Sequence, residues 1–162
     1  RSHQRRPAEI KGKLLDIGAG TNSLVKKYGN GVGVDVHEWD SGAIVVNNTA
    51  DLPFPDKNFD TITFVACLNH IPNRQEVLIE AQRLIKLDGR LIVTMINPVL
   101  GKIGHAIWWY SEDKKRGGML EGEKGGMWTS EVVTLCHNAG FTLEKHERFS
   151  YGMNNLYIFK QN

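Results

Sequence analysis

The sequence predicts a single α/β domain built on a doubly wound, mostly parallel sheet of seven strands. Short apolar runs alternate along the chain with segments of helical period, and no repeat or linker interrupts them. This alternation is typical of a parallel sheet that carries helices on both faces. The 162 residues suffice for one domain with a sizeable core. The domain is therefore expected to span residues 1–162.

The strands are predicted from apolar or alternating runs. The first, Leu14 to Ile17, is short and followed by glycine, which indicates a buried strand. The other six predicted strands are Val32 to Val36, Ile44 to Asn47, Thr61 to Val65, Arg90 to Met95, Phe141 to Phe149 and Leu156 to Lys160. The last two alternate, so we expect antiparallel neighbours that close the sheet.

Three helices are predicted between the strands. They are Leu24 to Tyr28, Gln75 to Ile85 and Thr129 to Ala139. The middle one places its apolar residues on one helical face. Asn73 is expected to cap it and Gly89 to end it. Thr129 and Ser130 are expected to supply cap hydroxyls for the third helix.

The alternation of apolar runs with segments of helical period stops between residues 97 and 128. Loops of this length inside compact domains are usually functional, so we predict a variable insertion that acts as a substrate lid. A plain insertion with a short helix is the alternative. The segment is rich in aromatic side chains that either wall an apolar substrate or anchor the insertion to the core, namely Trp108, Trp109, Tyr110 and Trp128.

Composition excludes several classes of function. The formal net charge of +2 is too small to favour a nucleic-acid partner. No apolar run approaches the roughly 20 residues of a membrane span, and no signal-peptide pattern opens the chain. Cys67 and Cys136 are too far apart for a metal motif, so we expect buried free thiols and no metal site. These observations favour a cytoplasmic location.

The stretch KLLDIGAGTN, residues 13–22, and the stretch VGVDV, residues 32–36, predict a nucleoside site. Gly18 and Gly20 form the turn after the first strand, where a backbone without Cβ lets a ligand approach closely. Asp35 ends the second strand, where a carboxylate can accept hydrogen bonds from both ribose hydroxyls. A purely structural use of the two glycines is the alternative.

Two ligands compete for such a site. A dinucleotide site wants a third glycine where this chain has Ser23. Asp16 lies two residues before the turn, and its carboxylate would repel a pyrophosphate but attract an ammonium or a sulfonium. The residues therefore favour S-adenosylmethionine over NAD.

These stretches resemble the first two motifs of the class I S-adenosylmethionine-dependent methyltransferases. The stretch NNTADLPFPDKNFDTITFVACLNHI resembles the third and fourth motifs of the small-molecule branch, a group similar to the ubiquinone/menaquinone C-methyltransferases. RLIKLDGRLIVT resembles the turn and fifth strand that follow. The resemblance implies a Rossmann-like methyltransferase fold, S-adenosylmethionine as cofactor and S-adenosylhomocysteine as product.

The resemblance also implies roles for individual residues. The methionine side of the cofactor would be lined by Asp16, Gly18, Ala19 and Gly20. The ribose and adenine would be contacted by Asp35, Val36, His37, Asn48 and Thr49. Ala66 and Cys67 would lie beside the methionine or the transferred methyl. Asn48 stands where the family usually has an acid, so its amide oxygen would accept from the adenine without charge assistance.

The sequence offers two candidates for a general base, which methyl transfer needs only when the acceptor must lose a proton. His70 follows the fourth strand, and His105 lies in the insertion. Each has a structural alternative, because the family often has a packing histidine at the position of His70 and because Ile107 and Trp108 lie near His105.

We therefore expect an enzyme that transfers a methyl group from S-adenosylmethionine to an unidentified small molecule. A macromolecule methyltransferase is an alternative, although the stretch ACLNHI lacks the signature of amino-directed nucleic-acid enzymes. A non-catalytic domain that regulates or scaffolds a partner is another. Few residues precede Leu14, whereas family members have N-terminal helices over the cofactor. Several explanations stay open. The enzyme is minimal, the chain lacks a segment, or a second copy in a homodimer or a partner chain covers the cofactor site.

Overall fold

A computed structural model describes residues 9–101 and 121–162 of the chain. The strands are β1 (Leu14–Ile17), β2 (Gly31–Asp35), β3 (Ile44–Val45), β4 (Phe59–Val65), β5 (Ile85–Ile96), β6 (Phe141–Phe149) and β7 (Asn154–Gln161). The helices are α1 (Ser23–Tyr28), α2 (Arg74–Leu84) and α3 (Thr129–Asn138), and a 3-10 turn covers Leu68–His70.

The seven strands form one sheet in the order β3-β2-β1-β4-β5-β7-β6. The pairs among β1 to β5 are parallel, whereas β7 runs antiparallel to both β5 and β6. The predicted mostly parallel sheet with an antiparallel closing strand is confirmed. The strand order reverses between β1 and β4. Ligands of open α/β sheets bind at such a reversal, beyond the carboxyl ends of the strands.

Apolar side chains bury both faces of the sheet. The larger cluster joins Ile62, Leu91 and Tyr157 of the sheet with Val77 of α2 and Val132 of α3. The smaller cluster, on the opposite face, contains Ile10, Leu14, Val25, Ile92, Leu156 and Ile158. Strand β1, with the sequence LLDI, is buried along its whole length, and Asp16 is its one polar residue.

Gly89 does not end a helix, so that prediction is wrong. Helix α2 stops at Leu84 and β5 begins at the next residue, Ile85, which places Gly89 inside the strand. A Cβ at Gly89 would lie 2.6 Å from Cγ1 of Ile85 and 3.0 Å from the carbonyl oxygen of Asp60. The glycine is therefore needed for close packing beside an irregularity in the β4–β5 pairing.

The predicted caps also differ from the structure. Asn73 occupies the residue before α2 but its side chain forms no cap bond. Thr129 is the first residue of α3, and its hydroxyl bonds to the hydroxyl of Tyr157 at 2.8 Å. The carboxylate of Glu131 accepts the N–H of Trp128 at 2.8 Å and so serves this helix end instead. Strand β3 is shorter than predicted, and β4, β5 and β7 are longer.

Candidate functional site

The turn after β1 is held against β2 by its backbone. The N–H groups of Gly18 and Ala19 both donate to the carbonyl oxygen of Val34, at 2.9 and 3.0 Å. Gly18 has φ +73°, a conformation that L side chains rarely adopt, and a Cβ there would lie 2.8 Å from Sγ of Cys67. The turn therefore packs directly on the residues that follow β4, as expected at the point where strand order reverses.

A second glycine, Gly33 of β2, lets the turn lie close to the sheet. A Cβ at Gly33 would come within 2.1 Å of Oδ1 of Asn22 and 2.7 Å of Cβ of Ala19. Asn22 has a left-handed conformation with φ +57°, which asparagine adopts more readily than most residues. Asparagine thus supplies the left-handed residue that this turn requires.

Asp35 is fixed at the carboxyl end of β2 by two backbone donors. Its Oδ2 accepts the N–H of Gly20 at 2.8 Å, and its Oδ1 accepts the N–H of His37 at 2.9 Å. These bonds tie the carboxylate to the glycine turn and to the loop after β2. Each carboxylate oxygen has a second lone pair that can accept from a ligand hydroxyl. The adjacent Val36 is 59% exposed and offers an apolar surface beside the carboxylate.

Asp16 lies buried in β1, two residues before the turn. Its Oδ1 accepts the hydroxyl of Thr63 on the neighbouring strand β4 at 2.5 Å. Burial raises the pKa of Asp16 to about 7, while the Thr63 hydrogen bond lowers it and the negative charge of Asp35 raises it. A cationic ligand group would favour the ionised form. Sequence reasoning missed Thr63, although the hydroxyls of Thr61 and Thr63 alternate with apolar residues along β4.

The residues after β4 have an unusual backbone. Ala66 has φ +52°, and its N–H donates to both the carbonyl and the hydroxyl oxygen of Thr94 on β5, at 3.2 and 3.0 Å. Such strained residues cluster at functional sites. The thiol of Cys67 donates to the carbonyl oxygen of Ile17 at 3.1 Å. Burial raises the pKa of Cys67 well above its usual range, and the carboxylates of Asp16 and Asp35 raise it further. The thiol is therefore neutral and is not a nucleophile.

The predicted adenine contacts lie in the loop after β3. Oδ1 of Asn48 accepts the N–H of Ala50 at 2.9 Å and Nδ2 of Asn73 at 3.2 Å. Both of its lone pairs are engaged within the chain, so an adenine amine would have to compete for this oxygen. Thr49 is buried beside it. The roles predicted for Asn48 and Thr49 stay predictions.

The 3-10 turn after β4 carries His70 and contacts the segment that precedes α3. The N–H of His70 donates to the carbonyl oxygen of Cys67 at 2.8 Å. Its Nδ1 lies 3.5 Å from Oε2 of Glu123, whose side chain is 4% exposed. Sequence reasoning missed Glu123, because the segment around it has no recognisable pattern. His105 lies outside the described residues, as do Trp108, Trp109 and Tyr110.

The described contacts thus join five predicted site residues: Gly18 packs on Cys67, and Asp35 accepts the N–H groups of Gly20 and His37. No group of three or more His, Cys, Asp or Glu comes close enough to hold a metal ion in residues 9–101 and 121–162. Of the helices that these residues form, none is long and apolar enough to cross a membrane.

Residues 15–93 match a family model described as a methyltransferase domain. An uncharacterized protein of Methanocaldococcus jannaschii is 27% identical over 140 residues, covering 81% of this chain and 65% of the relative. A ubiquinone/menaquinone biosynthesis C-methyltransferase of Vibrio cholerae is 30% identical over 122 residues, covering 61% of this chain and 47% of the relative. The chain therefore spans less than two thirds of the length of these relatives.

Solved structures share the fold. An S-adenosylmethionine-dependent methyltransferase of Thermotoga maritima aligns over 94% of this chain and 84% of its own, with TM-score 0.72 and 21% identity. The 1,6-didemethyltoxoflavin-N1-methyltransferase of Burkholderia thailandensis, solved with S-adenosylhomocysteine and its substrate, aligns over 93% of this chain and 71% of its own. Its TM-score is 0.65 at 17% identity.

Proposed function

We propose that the chain is a class I S-adenosylmethionine-dependent methyltransferase that transfers a methyl group to a small-molecule acceptor; the match of residues 15–93 to a methyltransferase domain supports the proposal. The contact between the Gly20 N–H and the Asp35 carboxylate at 2.8 Å gives the proposal its main support. This hydrogen bond connects the glycine turn, which a ligand can approach closely, to a carboxylate that can accept hydrogen bonds from ribose hydroxyls.

The residues at the switch point fit this cofactor. Asp35 would accept the ribose hydroxyls, and the exposed Val36 would cover one face of the adenine. Gly18 and Gly20, both with positive φ, would let the backbone approach the methionine portion. Asp16 would attract its ammonium group, since a carboxylate in a poorly hydrated site interacts strongly with an opposite charge.

S-adenosylmethionine, when bound, supplies a methyl group on a positively charged sulfur. The chain itself would hold the two reactants in line, which can provide most of the rate acceleration of such a transfer. Ala66 and Cys67 follow β4 and would lie beside the transferred methyl, where they would restrict the approach of the acceptor. Because its pKa is raised, the Cys67 thiol stays protonated and would not compete for the methyl group.

The acceptor is proposed to be small and aromatic. The support is the Vibrio cholerae relative, which is named for ubiquinone/menaquinone biosynthesis. It stays a prediction that a second copy of the chain, or another protein, covers the cofactor. The predicted cytoplasmic location is also a proposal, supported by the two free thiols, Cys67 and Cys136.

The proposal is tested by incubating the chain with S-adenosylmethionine and a panel of aromatic hydroxyl and amine compounds, with S-adenosylhomocysteine measured by mass spectrometry. Asp35→Ala should abolish product formation. Asp88→Ala removes an exposed carboxylate far from the turn and should leave it unchanged. Equal rates in the wild type and Asp35→Ala would contradict the proposal.

A further inference from the structure

The loop after β2 buries one serine against the glycine turn. Ser41 is 8% exposed, whereas its neighbours Asp40 and Gly42 are both exposed. The hydroxyl of Ser41 donates to the carbonyl oxygen of Gly20 at 2.8 Å and accepts the N–H of Ala43 at 3.4 Å. The direction of the first bond is fixed, because a carbonyl oxygen can only accept. Ser41 therefore contacts directly a residue that is predicted to line the cofactor.

The backbone on either side of Ser41 turns its side chain inward. Asp40 has φ +53° and Gly42 has φ +81°, so both neighbours adopt left-handed conformations. The N–H of Asp40 donates to Oε1 of Glu38 at 2.6 Å, which supports this conformation. Left-handed backbone is uncommon for residues other than glycine, and it persists where the surrounding contacts determine it. This local conformation brings the Ser41 hydroxyl to the turn.

Two side chains thus hold the two peptide groups of Gly20. The carboxylate of Asp35 accepts the N–H of Gly20 at 2.8 Å, and the hydroxyl of Ser41 donates to its carbonyl oxygen. Each peptide group is planar, so the first bond orients the plane before the glycine and the second orients the plane after it. Together the two bonds restrict both backbone dihedrals of a residue type that is otherwise conformationally free.

Open space lies beside this restrained glycine. Gly20 has φ +52°, and a Cβ at this position would meet nothing within 4 Å. Gly18 differs, because a Cβ there would lie 2.8 Å from Sγ of Cys67. A ligand can therefore approach the backbone at Gly20. Binding at a residue that is already ordered loses less conformational entropy, which favours affinity.

We propose that Ser41 is a positioning residue that fixes Gly20 and, through it, the carboxylate of Asp35 for the ribose hydroxyls of the cofactor. This inference rests on the proposed function and adds to it a residue that no motif of the sequence singles out. Ser41 acts through its bond to the turn. One hydroxyl group thus couples the loop after β2 to the turn after β1.

The first test is amide hydrogen exchange of the cofactor-free chain, measured by NMR in the wild type and in Ser41→Ala. The N–H of Gly20 should exchange about 2- to 10-fold faster in the variant, the range expected for the loss of one neutral hydrogen bond. The N–H of Gly18 is the internal control, because it donates to the carbonyl oxygen of Val34 at 2.9 Å. Asp35→Ala gives the exchange rate of Gly20 without its acceptor.

Comparison of the two glycines separates positioning from general stability. A variant that is merely less stable would accelerate the exchange of Gly18 and Gly20 together. Ser23→Ala removes another serine hydroxyl, from an exposed residue at the start of α1, and should leave both rates unchanged. Equal protection of Gly20 in wild type and Ser41→Ala, or an equal acceleration of both glycines, would overturn the inference.

The second test measures ribose recognition by calorimetry. The probes are S-adenosylhomocysteine and its 2′-deoxy analogue, which lacks one of the hydroxyls that Asp35 would accept. The wild type should prefer the ribose form about tenfold or more, and Ser41→Ala should reduce this preference about twofold or more. In an Asp35→Ala background, Ser41→Ala should not change the preference, because the two side chains act through the same glycine. The same preference in wild type and Ser41→Ala, or none in the wild type, would overturn the link to Asp35.

The two tests separate this inference from the proposed function. If the wild type binds neither S-adenosylmethionine nor S-adenosylhomocysteine, the proposed function fails, and the exchange of Gly20 still decides whether Ser41 fixes the turn. If the wild type binds both, and Ser41→Ala changes neither the exchange of Gly20 nor the preference for ribose, the inference about Ser41 alone fails.

Discussion

Replacing Asp16 by asparagine separates the cost of burying a carboxylate from its use in binding. Asp16 is 3% exposed, and burial raises its pKa from 3.8 to about 7, against the opposing hydrogen bond from Thr63 and with a further contribution from Asp35. The folded chain thus holds the proton more tightly than the unfolded chain. The stability from this group is complete below about pH 4 and is lost as the pH rises to 7.

The magnitude follows from the two pKa values. At 1.36 kcal/mol per pH unit, the difference between 3.8 and about 7 corresponds to about 4 kcal/mol of unfolding free energy. Asp16→Asn removes this titration. We expect the variant to be more stable than the wild type at pH 8 by up to about 4 kcal/mol, and of similar stability at pH 4. Urea denaturation of the free chain at both pH values measures the difference.

Cofactor binding should show the opposite dependence on pH. The ammonium of S-adenosylmethionine would bind the ionised carboxylate, so binding to the wild type should release a proton and weaken about tenfold for each pH unit below 7. Asp16→Asn should bind more weakly than the wild type at pH 8 and show little pH dependence. Calorimetric titration between pH 5.5 and 8.5, in buffers of different ionisation enthalpy, measures both the affinity and the protons released.

Two results would refute this reasoning. One is an affinity of the wild type that does not change between pH 5.5 and 8, and the other is the same pH dependence in Asp16→Asn. His37 is an exposed histidine whose N–H bonds to Asp35, next to the site. His37→Asn is therefore the control, and it should keep the pH dependence assigned to Asp16.

Three further variants test the same site. Asp35→Asn keeps the shape of the side chain but loses its charge, so cofactor binding should weaken about tenfold or more by calorimetry, and unchanged affinity would contradict the ribose role. Gly33→Ala should lower the free energy of unfolding by about 1–3 kcal/mol in urea, because the new Cβ would meet Oδ1 of Asn22 and Cβ of Ala19. Thr63→Val removes the bond that lowers the pKa of Asp16, so the midpoint of the affinity profile should move to higher pH; a lower midpoint would contradict it.

The local part of the site could be predicted from the sequence. Gly18 and Gly20 follow a short apolar strand, and Asp35 ends the next one. Parallel neighbours bring their carboxyl ends to the same edge, which is why spacing alone placed Gly20 near Asp35. Asp16 was recognised from charge, because a carboxylate before the turn suits a cationic ligand.

Contacts between distant segments could not be predicted in this way. The Thr63–Asp16 bond spans 47 residues and depends on the register of β1 against β4. The approach of Glu123 to His70 depends on a segment without periodicity, held by the side chain of Arg74. The end of helix α2 was predicted wrongly from Gly89, because glycine occurs both at helix ends and where strands pack closely.

The most direct test of the central claim is a calorimetric titration of the chain with S-adenosylmethionine, S-adenosylhomocysteine and NAD in parallel at pH 8. We expect micromolar binding of the first two, no binding of NAD, and loss of binding in Asp35→Ala. Binding of NAD, or no binding of any of the three, would contradict the assignment of the turn after β1 to this cofactor.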